Sequence, residues 1–378
     1  MSPATSGIDL LSSHHGTGAS ENLWLETALW LKSQGLKVHT AMAWNEVDSP
    51  RRLPLLEANI ECRALRQHWA MSTLGRRLLN TADRHQRVLS HWLGRRRPAL
   101  VLVSQGNDHS ALPWLQALEQ LGIPAAVVTH GINAADWPDD SRAAALRKAF
   151  AGLRASFWVS RRNADDFERQ LGQSLGTRLC AFNPLKVPRH ALPWPEADTP
   201  LRLACVARLQ TRPKGHDLLL EAMATEACRQ LPVRLSFFGR GENREGLQRL
   251  CQRLGLEQRV EFHGHQDDVS AIWQTHHLLA QPSRNEGMPL SLIEAMACGR
   301  GALATDVAGH SELIKEGVTG FLAPCPCVAD LAAALQRACE ARQHLQAMGF
   351  AALRQLEDWM PAQPVAHFGQ QLIDLAKP

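Results

Sequence analysis

Residues 278–299 read LLAQPSRNEGMPLSLIEAMACG, which contains a predicted strand, a turn and a predicted helix. The apolar run Leu278–Gln281 predicts a buried strand, and the proline after it ends that strand. A Gly-Met-Pro turn leads into a helix from about Leu290, which Gly299 terminates. This order predicts a unit of a parallel α/β sheet, with the amino end of the helix at the carboxyl edge of its strand.

Short apolar runs alternate with longer helical patterns along the rest of the chain, which is typical of parallel sheets with crossover helices. We therefore predict two doubly wound, Rossmann-like sheets. Their strands lie near Ile8–Ser12, Lys37–Ala43, Ala99–Ser104, Ala125–Thr129, Ser156–Val159, Leu179–Phe182, Leu201–Val206, Val233–Phe238, Val260–His263, Leu278–Gln281, Gly301–Ala304 and Gly320–Leu322.

A proline-rich segment separates the two predicted sheets, because five prolines between residues 184 and 200 disfavour both helix and central strand. The domains are predicted at 1–185 and 201–360, with a linker at 186–200. An amphipathic helix predicted within 361–378 is expected to pack back onto the first domain. Ligands of open α/β sheets bind at the carboxyl ends of strands, so we expect the chemistry in a cleft between the domains.

The composition is that of a globular protein, with 45% hydrophobic and 21% charged residues over 378 positions. Its net charge of +4 is uneven, since residues 1–190 carry 23 Lys and Arg against 16 Asp and Glu, and the rest carry 18 against 21. A basic first half favours an anionic partner, such as a phosphorylated acceptor or a membrane surface. A solvated basic face explains the imbalance equally well.

Nine cysteines without C-x-x-C pairs favour reduced thiols in a cytoplasmic protein. The first 30 residues contain no Lys or Arg and no long apolar block, so we expect neither a signal peptide nor a membrane span. Any contact with the inner face of the membrane would then be peripheral.

Two glutamates flank the turn in the opening stretch. Glu286 precedes the turn, and Glu294 lies on the helix. The unpaired N–H groups at a helix start favour phosphate oxygens, and Gly287 allows close backbone approach. Glu286 can accept hydrogen bonds from sugar hydroxyls, and Glu294 from vicinal hydroxyls such as those of ribose. Taken alone, Glu286 is also typical of a helix-dipole partner, and Glu294 of a solvated helix residue.

The segment EGMPLSLIEAMACG, residues 286–299, resembles the E-G-x-P…E-A-x-A-x-G signature of the retaining glycosyltransferases of family 4. The resemblance is close over residues 201–324, loose over 8–183, and implies the two-domain architecture called GT-B. Further matching segments, in chain order, are ARLQTRPKGHDLLLEA at 207–222, FFGRGENREGL at 237–247, VEFHGHQDDV at 260–269 and TDVAGHSELI at 305–314.

The resemblance implies roles for individual residues. Arg208 and Lys214 would hold the leaving diphosphate, because preplaced cations stabilise the developing charge without a metal. Glu286 would orient the sugar, and Glu294 would hold the ribose. The donor would also contact the turn formed by Gly287, Met288, Pro289 and Leu290.

The first domain carries a weaker version of the family pattern. Gly16 and Gly18 resemble the glycines of an amino-terminal loop that approaches the donor phosphates, although a plain turn after a strand has the same sequence. His130 follows a predicted buried strand, where the family often has a histidine near the reacting sugar. A lone histidine at such a place is otherwise structural.

Three departures from the family pattern concern packing near the donor and leave the donor's identity open. Ala207 and Ala308 stand where the family has glycine, and the pair Arg300-Gly301 stands where Lys-Pro or Val-Pro is usual.

Two further groups of residues bear on metal binding and on contact with anionic partners. The histidines at positions 263, 265, 276 and 277 lack ligand-type spacing, so no metal site is expected. Residues 66–97 are basic with apolar residues at near-helical spacing, which is typical either of contact with an anionic membrane or lipid-linked acceptor, or of ordinary core packing. No nucleic-acid recognition motif accompanies them.

The resemblance implies a retaining, metal-independent transfer of a sugar from a UDP- or GDP-sugar to an acceptor hydroxyl, with no other cofactor. The acceptor would be a saccharide or a lipid-linked molecule in cell-surface polysaccharide or glycolipid assembly. Two alternatives stay open from the sequence: a nucleotide-sugar epimerase or phosphorylase of GT-B architecture, and a non-catalytic binding or partner subunit with the same fold.

Overall fold

A computed structural model describes residues 7–13, 20–42, 52–65, 81–94, 96–106, 109–195 and 200–377. The chain divides into two compact units. The first comprises Met1–Pro184 together with Gln363–Pro378, and the second comprises Leu185–Ala362.

The first unit contains a parallel sheet whose seven described strands are ordered β3-β2-β1-β4-β5-β6-β7. Central strands such as β4 and β5 are buried on both faces, which explains their continuous apolar runs. The strands are β1 Ile8–Ser12, β2 Val38–Met42, β3 Glu61–Ala64, β4 Leu100–Gln105, β5 Ala125–Thr129, β6 Ala155–Trp158 and β7 Arg178–Cys180. The helices are α1 Ser20–Ser33, α2 Leu53–Glu57, α3 Thr81–Leu93, α4 Leu112–Gln120, α5 Asp140–Ala151, α6 Arg161–Leu171 and, from the end of the chain, α16 Pro364–Leu375.

The second unit contains a six-stranded parallel sheet ordered β10-β9-β8-β11-β12-β13. Its strands are β8 Leu201–Val206, β9 Val233–Phe238, β10 Val260–Gly264, β11 Leu278–Gln281, β12 Gly301–Thr305 and β13 Gly320–Ala323. Its helices are α7 Thr211–Lys214, α8 His216–Ala224, α9 Glu226–Arg229, α10 Arg244–Arg253, α11 Val269–Thr275, α12 Leu290–Ala297, α13 His310–Leu313, α14 Val328–Glu340 and α15 Leu345–Trp359.

Every predicted strand is present, with bounds that differ by at most two residues. The prediction missed β3, which lies at the edge of the first sheet. Its sequence, ECRA, is short and half charged, and Arg63 is exposed. An edge strand with a solvated face lacks the apolar run by which the buried strands were recognised.

The described part of the proline-rich segment packs on the second unit instead of standing free. The fully buried Arg300 holds it there, since its guanidinium donates to the carbonyls of Leu192 (3.3 Å) and Pro193 (2.6 Å). The same guanidinium lies 5.0 Å from the ring centre of Trp194. Burial lowers the pKa of Arg300 to about 10, yet carbonyl oxygens satisfy the charge. The departure at Arg300 therefore serves the packing of this segment.

Helix α16 belongs to the first unit and packs against α1. Gly369 lies so close to Trp30 that a Cβ at this position would stand 2.2 Å from the indole ring. Phe368 meets Phe157 of β6 edge-on, with ring centres 4.7 Å apart. The last helix thus completes the core of the unit that contains the start of the chain.

Candidate functional site

The predicted donor residues gather at the topological switch point of the second sheet, between β8 and β11. From β8 the next strand in the chain lies to one side of the sheet, and from β11 it lies to the other. Loops that leave two such strands diverge and open a crevice at their carboxyl ends. The β8 loop carries Arg208 and Lys214, and the β11 loop carries Glu286.

Lys214 and Glu286 form an ion pair across this switch point, with 2.6 Å between Nζ and Oε1. Ser283 Oγ donates to the same oxygen at 2.7 Å, and Gln281 Nε2 does so at 3.2 Å. All three donors reach Oε1, whereas Oε2 accepts no hydrogen bond from the described residues. One carboxylate oxygen is therefore saturated, and the other is available to a ligand.

Glu286 is ionised at neutral pH. Its side chain is 7% exposed, and this burial alone would raise its pKa. The Lys214 ammonium is the largest of the effects that outweigh burial and hold the pKa of Glu286 below its ordinary value. The site thus presents a fixed anion beside a fixed cation.

The two loops are held together by contacts that exclude a larger residue at Gly215. This glycine has φ +64°, and a Cβ would lie 1.9 Å from the carbonyl oxygen of Pro282. Beside it, Arg284 Nη1 and Nη2 donate to the two carboxylate oxygens of Asp217 at 2.8 and 2.6 Å. Loop contact and bidentate clamp together fix the distance between Lys214 and Glu286.

Arg208 lies at the carboxyl end of β8 with an exposed side chain that forms no ion pair within the part of the chain described here. The backbone on either side of Arg208 packs closely against two glycines. A Cβ at Gly239 would lie 2.0 Å from the carbonyl oxygen of Ala207, and one at Gly241 would lie 2.4 Å from that of Leu209. The G-x-G turn thus supports the loop that presents the guanidinium.

The predicted turn at Gly287, Met288, Pro289 and Leu290 leads directly into α12, whose N-cap residue is Pro289. The first N–H groups of such a helix have no partner within the helix. Gly309 N donates to the carbonyl oxygen of Gly287 at 3.1 Å and so holds the turn against the loop after β12.

That β12 loop contains Ala308, which stands where the family has glycine. Ala308 has φ +46°, in the left-handed region that glycine adopts without cost. Ala308 therefore adopts a backbone conformation that favours glycine.

Glu294 lies on α12 of the second unit and is 8% exposed. Its carboxyl forms no hydrogen bond or ion pair with the residues of the described ranges. Burial raises its pKa to about 7, and the charge of Lys186 acts weakly in the opposite direction. A buried carboxyl without protein donors is suited to accept hydrogen bonds from a ligand.

Of the three site residues predicted in the first unit, the structure describes His130. His130 directly follows β5, and its backbone N–H donates to the carbonyl oxygen of Gln105 at 3.1 Å. Gly16 and Gly18 lie outside the described residues. Residues 66–80 of the basic segment also lie outside the described residues.

The described part of the basic segment is mostly helix α3, whose Leu89 and Trp92 are buried in the core. Core packing is therefore the better account of the described part of this segment.

Sequence reasoning missed the residues that hold Glu286 in place. Ser283 and Gln281 carry no motif of their own, and the Asp217–Arg284 clamp joins residues 67 positions apart. His310 lies within the matching segment 305–314, whose pattern predicts no role for it. Only the three-dimensional contact between loops identifies these residues.

Within the ranges that the structure describes, no three side chains of His, Cys, Asp or Glu lie close enough together to hold a metal ion. No helix in the same ranges has the length and apolar character needed to cross a bilayer.

Residues 190–355 match the sequence model of a family described as Glycosyl transferases group 1. A putative glycosyltransferase, EpsD of Bacillus subtilis, is 34% identical over 109 residues, which are 29% of each chain. A D-inositol 3-phosphate glycosyltransferase of Nocardia farcinica is 35% identical over 162 residues, 40% of this chain and 35% of that protein. The matches thus span about a third of these relatives' own length.

Solved structures match nearly the whole chain. Anabaena HepE in complex with UDP superposes with a TM-score of 0.75 at 18% identity, covering 97% of this chain and 98% of that one. The lipopolysaccharide outer core galactosyltransferase WaaB gives 0.74 at 19% identity, covering 97% and 99%. With the two parallel sheets described above, these matches show a GT-B fold.

Proposed function

We propose that this protein is a glycosyltransferase that moves a sugar from a UDP- or GDP-sugar to an acceptor hydroxyl. The observation that carries the proposal is the arrangement at the switch point of the second sheet. There Lys214, Gln281 and Ser283 together saturate one oxygen of Glu286, and the other oxygen is left for a ligand. The matching family segment, residues 190–355, contains all four residues.

In this proposal the donor's diphosphate binds to Lys214 and Arg208 and to the start of α12. Two cations and a helix amino end supply positive charge where the leaving group becomes negative, so the proposed reaction requires no metal. Glu286 Oε2 accepts a hydrogen bond from the transferred sugar. Glu294 accepts from the ribose hydroxyls, whose donation would favour its ionised form.

Lys214 would change partners when the donor binds. In the free protein it neutralises Glu286 at 2.6 Å, and a diphosphate would compete for the same ammonium. Donor binding would thereby weaken the ion pair between Lys214 and Glu286. The Glu286 carboxylate would then be a better acceptor for the sugar hydroxyl. Interactions that strengthen as charge develops on the leaving group are the ones that accelerate a reaction.

We propose that the transfer retains the anomeric configuration by a front-face route. The bond from the anomeric carbon to the diphosphate oxygen breaks, and a bond to the acceptor oxygen forms on the same face. The acceptor proton passes to the departing diphosphate. Glu286 is not proposed as a nucleophile, because in this proposal its free oxygen Oε2 accepts a hydrogen bond from a sugar hydroxyl.

The proposed setting is the assembly of a cell-surface polysaccharide or glycolipid in the cytoplasm. One structural relative is named as a lipopolysaccharide outer core galactosyltransferase, which is consistent with such an acceptor. A saccharide or lipid-linked acceptor also agrees with the excess of basic residues in the first half of the chain. His130 and the glycines at positions 16 and 18 are proposed to act near the reacting sugar and the phosphates.

The test is a panel of UDP- and GDP-sugars, measured first by thermal shift. A ligand at 100 times its Kd stabilises a protein by about 2.7 kcal/mol, which such an assay resolves. The stabilising donor is then incubated with saccharide and lipid-linked acceptors, and the anomeric configuration of the product is read by NMR. Transfer with retention is expected.

Incubation with the donor alone is the control that separates the alternatives. An epimerase would convert the donor without an acceptor. A non-catalytic subunit would bind the donor and leave it unchanged with every acceptor, and either result would contradict the proposal.

A further inference from the structure

His310 is the first residue of α13 and is completely buried. Its Nδ1 lies 2.6 Å from the carbonyl oxygen of Thr305, the last residue of β12. Because a carbonyl only accepts, Nδ1 carries a proton in this hydrogen bond. Nε2 is buried and has no hydrogen-bond partner among the described residues.

A chain of contacts connects this imidazole to the candidate site. Thr305 Oγ1 donates to the carbonyl oxygen of Ser283 at 2.5 Å, and Ser283 Oγ donates to Glu286 Oε1 at 2.7 Å. Thr305 and Ser283 are, like His310, at most 1% exposed. Since all three side chains are packed, each hydrogen bond fixes the orientation of the next residue.

The charge state of His310 agrees with this geometry. Burial lowers its pKa, an effect that outweighs the attraction of Glu286 and the hydrogen bond to Thr305. Lys214 repels a second positive charge, whereas Asp306 favours one. The neutral ring therefore keeps its one proton on Nδ1 and leaves Lys214 as the cation that pairs with Glu286.

We propose that His310 is a positioning residue for the transfer reaction, holding Glu286 Oε2 toward the sugar through Thr305 and Ser283. It does not touch the ligand, because its ring is enclosed by protein. It acts by fixing the backbone carbonyl of Ser283 and hence the rotamer of the Ser283 hydroxyl that binds Glu286. The inference rests on the proposed function.

Two substitutions of similar size separate positioning from packing. In His310→Asn the side-chain amide N–H overlaps Nδ1 and can still donate to Thr305. In His310→Gln the amide reaches toward Nε2, and that hydrogen bond is lost. We expect His310→Gln to lower kcat at least about tenfold with less than a threefold change in donor KM, since misplaced reacting groups affect the chemical step. His310→Asn should recover most of kcat.

His276 provides the matched control. It is also buried, and its Nδ1 lies 3.0 Å from the carbonyl oxygen of Ile272, but among the described residues no chain of side-chain hydrogen bonds leads from it to Glu286. His276→Gln should lower the melting temperature about as much as His310→Gln while kcat stays within twofold of wild type. Equal losses of kcat in both glutamine variants, or no rescue by His310→Asn, would overturn the inference.

A readout without turnover keeps this inference separate from the proposed function. In protein labelled with ¹⁵N-histidine, the His310 signals, assigned by their absence from His310→Asn, should show a protonated Nδ1 and a bare Nε2 at pH 7. Glu286→Gln should shift these signals. The opposite tautomer, or signals insensitive to Glu286→Gln, would refute the inference even in an active enzyme. A lack of transfer with every donor, beside the expected signals, would refute only the proposed function.

Discussion

Glu294 shows how one buried carboxyl links the candidate site to stability. Its pKa is about 7 in the folded chain and about 4.5 when exposed to solvent, so the folded state binds the extra proton between these values. Stability should therefore fall as the pH rises from about 4.5 to 7 and stay reduced above that. Ribose hydroxyls would stabilise the ionised form of Glu294, which is the form that burial disfavours.

We predict that Glu294→Gln stabilises the protein at pH 8 but not at pH 4.5. The expected gain at pH 8 is about 3 kcal/mol, because the pKa of Glu294 differs by about 2.5 between the folded and the unfolded chain and one pKa unit corresponds to 1.36 kcal/mol. Urea midpoints at both pH values measure it, and Glu257→Gln on the exposed surface is the control. Equal midpoint changes at the two pH values would show that the Glu294 carboxyl is not held in its neutral form.

Lys214 should contribute more to turnover than to donor binding. We predict that Lys214→Met lowers kcat about 10²- to 10³-fold, the range observed when one group that stabilises developing negative charge is removed. Donor Kd, from calorimetry, should rise less than tenfold. Arg212→Met, at an exposed position of the same short helix, should change neither value more than twofold. Proportional losses in kcat and affinity for Lys214→Met would mean that it binds ground state and transition state equally.

At the scale of elements, the site depends on the contact between the β8 and β11 loops. We predict that Gly215→Ala destabilises the protein by about 2–4 kcal/mol, because the new Cβ would lie 1.9 Å from the carbonyl oxygen of Pro282 and φ is positive. Gly246→Ala is the control, since its Cβ meets no atom within 4 Å in α10 and should stabilise by about 0.5–1 kcal/mol. Chemical denaturation of both variants measures the change in the free energy of unfolding. No destabilisation by Gly215→Ala would show that the two loops can separate.

The elements that the sequence predicts best are those whose signals are local. Buried strands such as β4 have apolar runs. In the β11–α12 unit a proline follows the strand and a glycine follows the helix. The β3 edge strand has neither signal. The candidate site was predictable only as separate motifs, because the ion pair between Lys214 and Glu286 joins residues 72 positions apart. The hydrogen bonds that saturate one oxygen of Glu286 depend on loop conformation, which spacing does not encode.

On the scale of the whole molecule, buried histidines of the second unit should make the protein sensitive to acid. Burial lowers the pKa values of His216 and His276 to about 4, whereas 6.5 is their ordinary value. The unfolded chain therefore binds more protons between pH 6.5 and 4, and stability is lost as the pH falls through this window. Each histidine contributes about 3 kcal/mol to that loss, and protonation of Glu294 offsets part of it.

We predict that His216→Met relieves this sensitivity, since neither ring nitrogen of the fully buried His216 has a hydrogen-bond partner among the described residues. The variant should raise the urea midpoint much more at pH 5 than at pH 8. Denaturation curves at the two pH values provide the measurement. A pH-independent change would assign the effect to packing alone.

The organisation into units follows from long-range packing that composition does not show. Proline content predicted a linker at 186–200, and the carbonyls of Leu192 and Pro193 in that segment accept hydrogen bonds from Arg300. The second compact unit begins at Leu185. A buried arginine that binds carbonyl oxygens is indistinguishable in sequence from a surface arginine.

The measurement that tests the central claim most directly is a crystal structure of the protein with its stabilising nucleotide-sugar bound. We predict the diphosphate within hydrogen-bonding distance of Lys214 Nζ at the switch point between β8 and β11, with Glu286 Oε2 accepting from a sugar hydroxyl. A nucleotide bound elsewhere, with Lys214 still paired to Glu286 and no ligand on Oε2, would contradict the account.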